Sequence, residues 1–296
     1  TGSHERCVNT PNWFIAAVAQ DAERVARIAL AEDGERDLTS LVSVSPDLPA
    51  SGRIEVRAPL VMAGQEWAEA VARAGKCRLR WDCRNGDVMP GGRVAGILEG
   101  DLDQILRVER PLLNLLQRAC GIAGATRIYV EAVSGTGVRI LHTRKTAPGL
   151  RMLDIAAVLS GGGTLHRVDL ARTVMIKDNH WSALRRAGKP LSKAVREARE
   201  RGAEQVQVEV ENPMQLEEAC RAGADRLLID NQSPAILAAW KQRAREIAVG
   251  IQIEATGGIT LENIRDYAAA GPDFISIGAL THSVVAADLA LETENR

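Results

Sequence analysis

Aromatic residues are scarce. Two phenylalanines, two tyrosines and five tryptophans make up 3% of 296 residues, too few for an aromatic platform that stacks nucleic-acid bases. Neither sign of charge is in excess: 37 lysines and arginines stand against 38 aspartates and glutamates, a formal net charge of −1. A general nucleic-acid or membrane-surface binder would carry a basic surplus. No apolar run is long enough to span a bilayer, and no secretory pattern opens the chain. The first four residues, "TGSH", read as an expression remnant and are set aside. The five cysteines, Cys7, Cys77, Cys83, Cys120 and Cys220, are odd in number and form no Cys-x-x-Cys pair. They fit reduced packing thiols of a cytoplasmic protein rather than disulfides or a zinc site.

What is present is a chain that is 46% hydrophobic and 25% charged, enough to bury a full core. From about residue 137 a strand–helix rhythm sets in. "GVRILHT", "TVMIKDNH", "EQVQVEVEN", "DRLLIDN", "GIQIEATGG" and "DFISIGALTHS" read as strands. A short "LHRVDL" adds to the set. Between them lie helical stretches near 150–160 and at "LSKAVREARERG", "PMQLEEACRAG", "SPAILAAWKQRAREIA" and "TLENIRDYAAAG". Pro213 near the first turn and Gly223 at the end frame one of these helices. Serial βα units of this length predict a parallel sheet, closed or nearly closed into a barrel. No Gly-x-Gly-x-x-Gly follows a first strand, which argues against a dinucleotide-binding sheet. The first part differs. Residues 12–33 are amphipathic and helical, and 52–110 hold short β-like runs around one helix at 65–74. "ILRVERPLLNLLQRACGIAGAT" forms a long helix with Pro111 expected in its first turn.

Charge gathers where the strands end. Arg144 and Lys145 close the first, Lys177 the second and Glu209 and Glu211 the third, with Asp230 and Glu254 closing the next two. In βα barrels the loops after the strands converge on one mouth, and charges there meet water and ligand; inside the core, unpaired, they would be costly. Arg144, Lys145, His166, Arg167 and Lys177 make that mouth cationic, with Glu209 and Asp230 as its acids. A polyanionic ligand accompanied by a divalent metal or a developing cation suits such a set. "TGGI" (Thr256 to Ile259) and "SIGA" (Ser276 to Ala279) offer backbone N–H groups without bulky side chains, as phosphate sites do. Blander readings exist: a solvated turn for Arg144 and Lys145, a structural role for His166, and a local ion pair for Glu209 or Glu211. Lys177 also suits a Schiff-base lyase, and a non-catalytic binder of phosphorylated metabolites would share the cations.

The set "HTRKTAPGLR", "GGGTLHR", "MIKDNH", "VEVEN", "LLIDN", "EATGGI" and "ISIGALTHS", together with "ERPLLNLLQRACGIA", resembles the quinolinate phosphoribosyltransferase family over almost the whole chain. The fingerprint of other phosphoribosyltransferases, two acids before a small-residue phosphate loop, is missing, in keeping with a family that shares their reaction and not their fold. The resemblance implies an open α/β barrel preceded by an N-terminal α+β sandwich domain. Its expected bounds are 5–116, joined by the C-terminal segment 283–296, and 117–282 for the barrel. It implies phosphoribosyl transfer from phosphoribosyl pyrophosphate to quinolinate with decarboxylation, the route to nicotinate mononucleotide in NAD biosynthesis, and Mg2+ as cofactor. It also implies a homodimer, or a higher oligomer, in which Arg110 is supplied across the interface.

Carried over by position, Arg144, His166 and Arg167 would hold the quinolinate carboxylates. Lys145 and Lys177 would lie by substrate and pyrophosphate. Glu209 and Asp230 would face the ribose and the metal, directly or through water. Thr256, Gly257, Gly258, Ser276 and Gly278 would surround the terminal phosphate. Thr256 stands where the family usually has serine, which keeps the hydroxyl. Arg172 stands where an acid is common, which changes local ion pairing.

Overall fold

A computed structural model describes residues 10–34 and 36–295; Cys7 and the opening residues lie outside them. In chain order the first elements are α1 (Asn12–Glu32), α2 (Leu38–Ser43), β1 (Pro49–Val56), β2 (Leu60–Val61), α3 (Gln65–Ala74), β3 (Arg78–Trp81), β4 (Val88–Met89), β5 (Val94–Asp101) and α4 (Leu102–Ala132). The alternating part follows with β6 (Arg139–Leu141), α5 (Arg151–Ser160), β7 (Thr173–Ile176), α6 (Asp178–Arg186), α7 (Leu191–Glu200), β8 (Gln205–Val210), α8 (Pro213–Ala222), β9 (Arg226–Asp230), α9 (Pro234–Ile247), β10 (Gln252–Thr256), α10 (Ile264–Ala269), β11 (Phe274–Ser276), α11 (Ala279–His282) and β12 (Leu289–Asn295).

The chain divides into two compact units. Among the described residues, one holds 10–34, 36–127, 145–164 and 279–295; the other holds 128–144 and 165–278. In the first, an antiparallel sheet runs β12-β1-β5-β3, so the last strand pairs with the first, Ile54 opposite Leu291. Helix α1 buries Phe14, Val18, Ala22 and Val25, the three-to-four spacing of a one-faced helix. Asp21 on α1 accepts the indole N–H of the fully buried Trp67 on α3 at 3.1 Å. Pro111 lies inside α4, not in its first turn. The helix begins at Leu102, one residue after β5, so the proline falls in its third turn, where it leaves one helical carbonyl without its usual donor. At Gly121 on the same helix a Cβ would lie 2.1 Å from the Val285 carbonyl oxygen, so only glycine lets the returning C-terminal segment pass.

The second unit is built on a six-stranded parallel sheet in the order β6-β11-β10-β9-β8-β7, the open α/β barrel expected. Strand period two assigns its faces. Val206, Val208 and Val210 share one face of β8 and are fully buried; each such side chain contributes about 1.5–3 kcal/mol by leaving water. Gln205, Gln207 and Glu209 share the other face. Strand β10 repeats the pattern with Ile253 and Ala255 against Gln252, Glu254 and Thr256. One face is therefore apolar and the other polar, where many barrels carry branched aliphatics.

The polar face is internally paired. Arg226 donates to Gln252 Oε1 at 3.0 and 3.1 Å and to Glu254 Oε2 at 3.1 Å. The Phe274 ring lies between the guanidinium groups of Arg226 and Arg139, 4.0 and 4.2 Å from its centroid. The caps of α8 match their sequence signals: the Asn212 side chain accepts from Gln215 N, Pro213 sits in the first turn, and Gly223 is left-handed at the end.

Two local expectations are corrected. "LHRVDL" is irregular chain, not a strand, because the groups of His166 bond to side chains instead of a ladder. "DNH" after Ile176 starts helix α6, capped where the Lys177 N–H donates to His180 Nδ1 at 3.0 Å. No helix among the described residues is long and apolar enough to cross a membrane. Cys77, Cys83, Cys120 and Cys220 are free. Burial pushes their thiols up to about 11, 11, 12 and 11, the opposite of an activated nucleophile.

Candidate active site

Most of the residues singled out fall in the second unit, on strand ends or the loops just beyond them. Lys177 follows β7 and Glu209 is the penultimate residue of β8. The Lys177 ammonium donates to Glu209 Oε2 at 2.5 Å. The Glu209 carbonyl accepts the indole N–H of the buried Trp181 at 2.8 Å, so α6 fixes the acid's backbone. Glu211, two residues on, lies past the strand end and is exposed; of the two glutamates only Glu209 is turned inward. With its nitrogen engaged in this ion pair, Lys177 does not resemble the desolvated amine of Schiff-base enzymes.

Asp230 ends β9 beside a strained turn. Asn231 takes a left-handed backbone with φ 53°. Its N–H donates to the Thr256 carbonyl at 2.9 Å, and its side-chain amide donates to Asp230 Oδ2 at 2.6 Å. Gly257 and Gly258 follow with φ of 83° and 60°. A Cβ on Gly257 would lie 2.3 Å from Asn231 Oδ1 and 2.8 Å from Asp230 Oδ1. This glycine is required twice, by its backbone and by the close approach of the acid's turn. Asn263 closes the loop, accepting from Thr260 N and donating to the Gly258 carbonyl.

The cationic side is built on β6 and the irregular chain before β7. His142 is fully buried. Burial, then its neighbour His166, push its imidazole down to about 3, so it is neutral. Its Nδ1 pairs with the Thr143 carbonyl and its Nε2 accepts the His166 N–H at 3.0 Å. Burial, then the charge of Arg144, lower Arg167 from its ordinary value. Arg144 Nε is buried with no hydrogen-bond partner among the described residues. Two neighbouring guanidiniums, one with an unmet buried donor, favour an anion between them.

His166 and Ser276 turn inward. His166 Nε2 lies 3.2 Å from Glu254 Oε2, and the Ser276 hydroxyl also donates to Glu254. Glu254 is not at a strand end as the sequence suggested. It sits in mid-strand, 1% exposed. Burial acts to raise its pKa, but His166, Arg226 and Ser276 reverse this and hold it at about 2. Arg110 and Lys145 belong to the other compact unit. The Arg110 side chain is 64% exposed, 3.7 Å from Glu109. The Lys145 carbonyl accepts the Thr281 hydroxyl at 2.8 Å. Near it is a pair that sequence reasoning missed: Arg118 grips the fully buried Asp154 with two bonds of 2.8 Å, and Asp154 also accepts the Ala147 N–H. Arg172, the residue out of pattern, lies 3.8 Å from Glu204 on the surface.

Among the described residues no group of three or more histidines, cysteines, aspartates or glutamates could hold a metal. Glu209 and Asp230 are two carboxylates already paired with Lys177 and Asn231. Two carboxylates are fewer than a dedicated all-protein cage supplies, but one or two suffice for Mg2+ that also binds phosphate oxygens.

An open barrel whose mouth sets paired arginines against two acids belongs to the class of anion-handling α/β enzymes. Two family models divide the chain between them: the quinolinate phosphoribosyltransferase N-terminal domain matches residues 37–120 and the C-terminal domain matches 122–292. A probable nicotinate-nucleotide pyrophosphorylase (carboxylating) of Methanothermobacter thermautotrophicus is 38% identical over 269 residues, 88% of this chain and 95% of that one. The human nicotinate-nucleotide pyrophosphorylase (carboxylating) is 36% identical over 249 residues, 82% of each chain. The solved nicotinate-nucleotide pyrophosphorylase of Francisella tularensis superposes with a TM-score of 0.85 at 31% identity, covering 93% of this chain and 97% of that one. The chain belongs to the quinolinate phosphoribosyltransferase family.

Proposed function

We infer that this chain transfers the phosphoribosyl group of phosphoribosyl pyrophosphate to quinolinate with loss of CO2, giving nicotinate mononucleotide and pyrophosphate. The family supplies the reaction. The observation that carries it on this chain is the pairing of two neighbouring guanidiniums, Arg144 and Arg167, with two acids, Glu209 and Asp230, at the strand ends of one sheet. A binder of anions alone would gain nothing from the acids, which repel its ligand unless positive charge arrives with it.

Arg144 and Arg167 hold the pyridine carboxylates, with His166 beside them. Thr256, Gly257, Gly258 and Gly278 take the terminal phosphate on backbone N–H groups. As the bond from the anomeric carbon to pyrophosphate breaks, its electron pair leaves with the pyrophosphate and positive charge builds on the ribose. Glu209 and Asp230 stabilise that charge. The pyridine nitrogen donates its electron pair to the same carbon. The ring, now cationic, accepts the electrons of the carbon–carboxylate bond, CO2 departs, and a proton from solvent fills the ring carbon. No protein nucleophile is needed; positioning and charge complementarity supply the rate. Mg2+ held by the pyrophosphate oxygens with Glu209 and Asp230, directly or through water, would neutralise the leaving group. Lys177 serves the same anion.

The active unit is a homodimer in which Arg110 reaches the second copy's barrel. An exposed arginine, weakly paired with its own neighbour, supports this. Free cysteines suit the reducing cytoplasm.

The test is incubation with quinolinate, phosphoribosyl pyrophosphate and Mg2+. Formation of nicotinate mononucleotide only when both substrates are present is the expected result. Binding of both without product would overturn the assignment.

A further inference from the structure

The Glu254 carboxylate lies in the middle of β10, out of reach of solvent, yet it accepts bonds from three parts of the barrel. Arg226 reaches it from β9 at 3.1 Å, the Ser276 hydroxyl from the end of β11, and His166 Nε2 from the chain before β7 at 3.2 Å. The charges of Glu254 and Arg226 offset one another. Residues 226 and 254 occupy neighbouring strands, with Leu228 directly opposite Glu254. The ion pair thus forms a fixed platform across the sheet.

His166 is held at two points. Its backbone N–H is taken by Nε2 of His142, which is itself neutral and buried. Its ring nitrogen Nε2 faces a carboxylate, which can only accept, so Nε2 carries the proton. The ring atom left for a ligand is Nδ1. The residue beside it, Arg167, belongs to the guanidinium pair with Arg144.

We propose that Glu254 is a positioning residue: through His166 Nε2 it fixes the tautomer and orientation of the imidazole next to Arg167, in the part of the site that takes the ligand carboxylates. This rests on the reading that the site takes a pyridine dicarboxylate. Ser276 then acts indirectly, locking the Glu254 carboxylate rather than touching phosphate. The same geometry explains why a charged strand residue is tolerated in a barrel interior: the carboxylate is satisfied on every side.

Removing Glu254 alone would leave Arg226 buried and unpaired, so Glu254→Gln is paired with the double variant Arg226→Gln/Glu254→Gln, which removes both charges together. In the folded double variant the KM for quinolinate rises roughly tenfold, because the ring next to Arg167 is no longer held in one orientation. The kcat and the KM for phosphoribosyl pyrophosphate stay within about twofold, because Glu254 touches neither the ribose nor its acids. Ser276→Ala shifts the same quantity in the same direction by a smaller factor. The independent readout is long-range proton–nitrogen NMR of His166 in the unliganded wild-type protein, which shows Nε2 protonated, and shows both tautomers in the double variant, where the amide introduced at position 254 can either accept from or donate to Nε2. An unchanged KM for quinolinate in a folded double variant, or His166 protonated at Nδ1 alone, overturns the proposal. If the wild type turns over no quinolinate, the functional reading fails while the NMR result still decides whether Glu254 orients the ring.

Discussion

Lys177 Nζ and Glu209 Oε2 stand 2.5 Å apart across the ends of adjacent parallel strands. The pair joins one of the mouth's cations to one of its two acids. Glu209 is buried and its backbone carbonyl is fixed by Trp181, so the acid is the fixed member and the lysine the movable one. In the proposed reaction a ligand phosphate would draw Lys177 away and leave Glu209 facing developing positive charge.

Replacing Glu209 or Asp230 by alanine therefore lowers kcat by about a hundredfold or more and changes the KM for quinolinate little. Steady-state kinetics on purified variants checks this. Equal losses in kcat and in quinolinate affinity would place the acids in ground-state binding instead.

Arg144→Ala and Arg167→Ala act in the opposite sense. Each raises the KM for quinolinate by roughly tenfold or more with a smaller effect on kcat. Arg144→Lys does not restore the wild-type value, because a point charge cannot replace the planar fork. Full rescue by lysine would show that charge alone is used.

Gly257→Ala tests the cradle beside Asp230. Its φ of 83° and the 2.3 Å approach to Asn231 Oδ1 impose about 1–3 kcal/mol of strain on any side chain. The expected result is a raised KM for phosphoribosyl pyrophosphate with quinolinate binding retained. A variant with wild-type kinetics would separate this loop from phosphate.

Two buried groups make the fold acid-sensitive. His142 is lowered by burial from 6.5 to about 3. The unfolded chain thus takes up a proton where the folded one does not, and stability falls as pH drops from 6.5 toward 3. Glu254 is lowered from 4.5 to about 2, so its contribution is present above 4.5 and is lost as pH falls toward 2. Urea unfolding over a pH series measures the slope. His142→Gln keeps an acceptor for the His166 N–H without a titrating ring, and flattens the profile between pH 6.5 and 4.5. An unchanged slope would remove His142 from the account.

Arg110→Ala and Lys177→Ala subunits, mixed and allowed to exchange, recover part of the activity that each lacks alone. Subunit exchange shown by mass or fluorescence without any recovery would mean that Arg110 is not shared.

The parallel βα rhythm and the crowding of charge at strand ends were legible because strand–helix alternation and barrel geometry are local rules. The contacts that organise the site were not. His166 and Glu254 are 88 residues apart, and periodicity assigns each a face without naming its partner. Glu254 read as a strand-end acid because "IQIE" stops at the charge, whereas the strand runs on to Thr256. Helix α6 was hidden because its first turn is polar and carries no proline or glycine signal; its cap is His180 reaching back to Lys177. Pro111 read as a first-turn proline, but the helix starts nine residues earlier, directly from β5. The Arg118–Asp154 grip carried no motif, being a pairing of two helices 36 residues apart.

The most direct measurement is the stoichiometry of products from quinolinate labelled in the carboxylate next to the ring nitrogen. One labelled CO2 and one pyrophosphate should appear per mononucleotide, all three falling together in Glu209→Ala and Asp230→Ala. Labelled CO2 released without mononucleotide, or pyrophosphate released without either, would contradict a single mouth that couples the transfer to the decarboxylation.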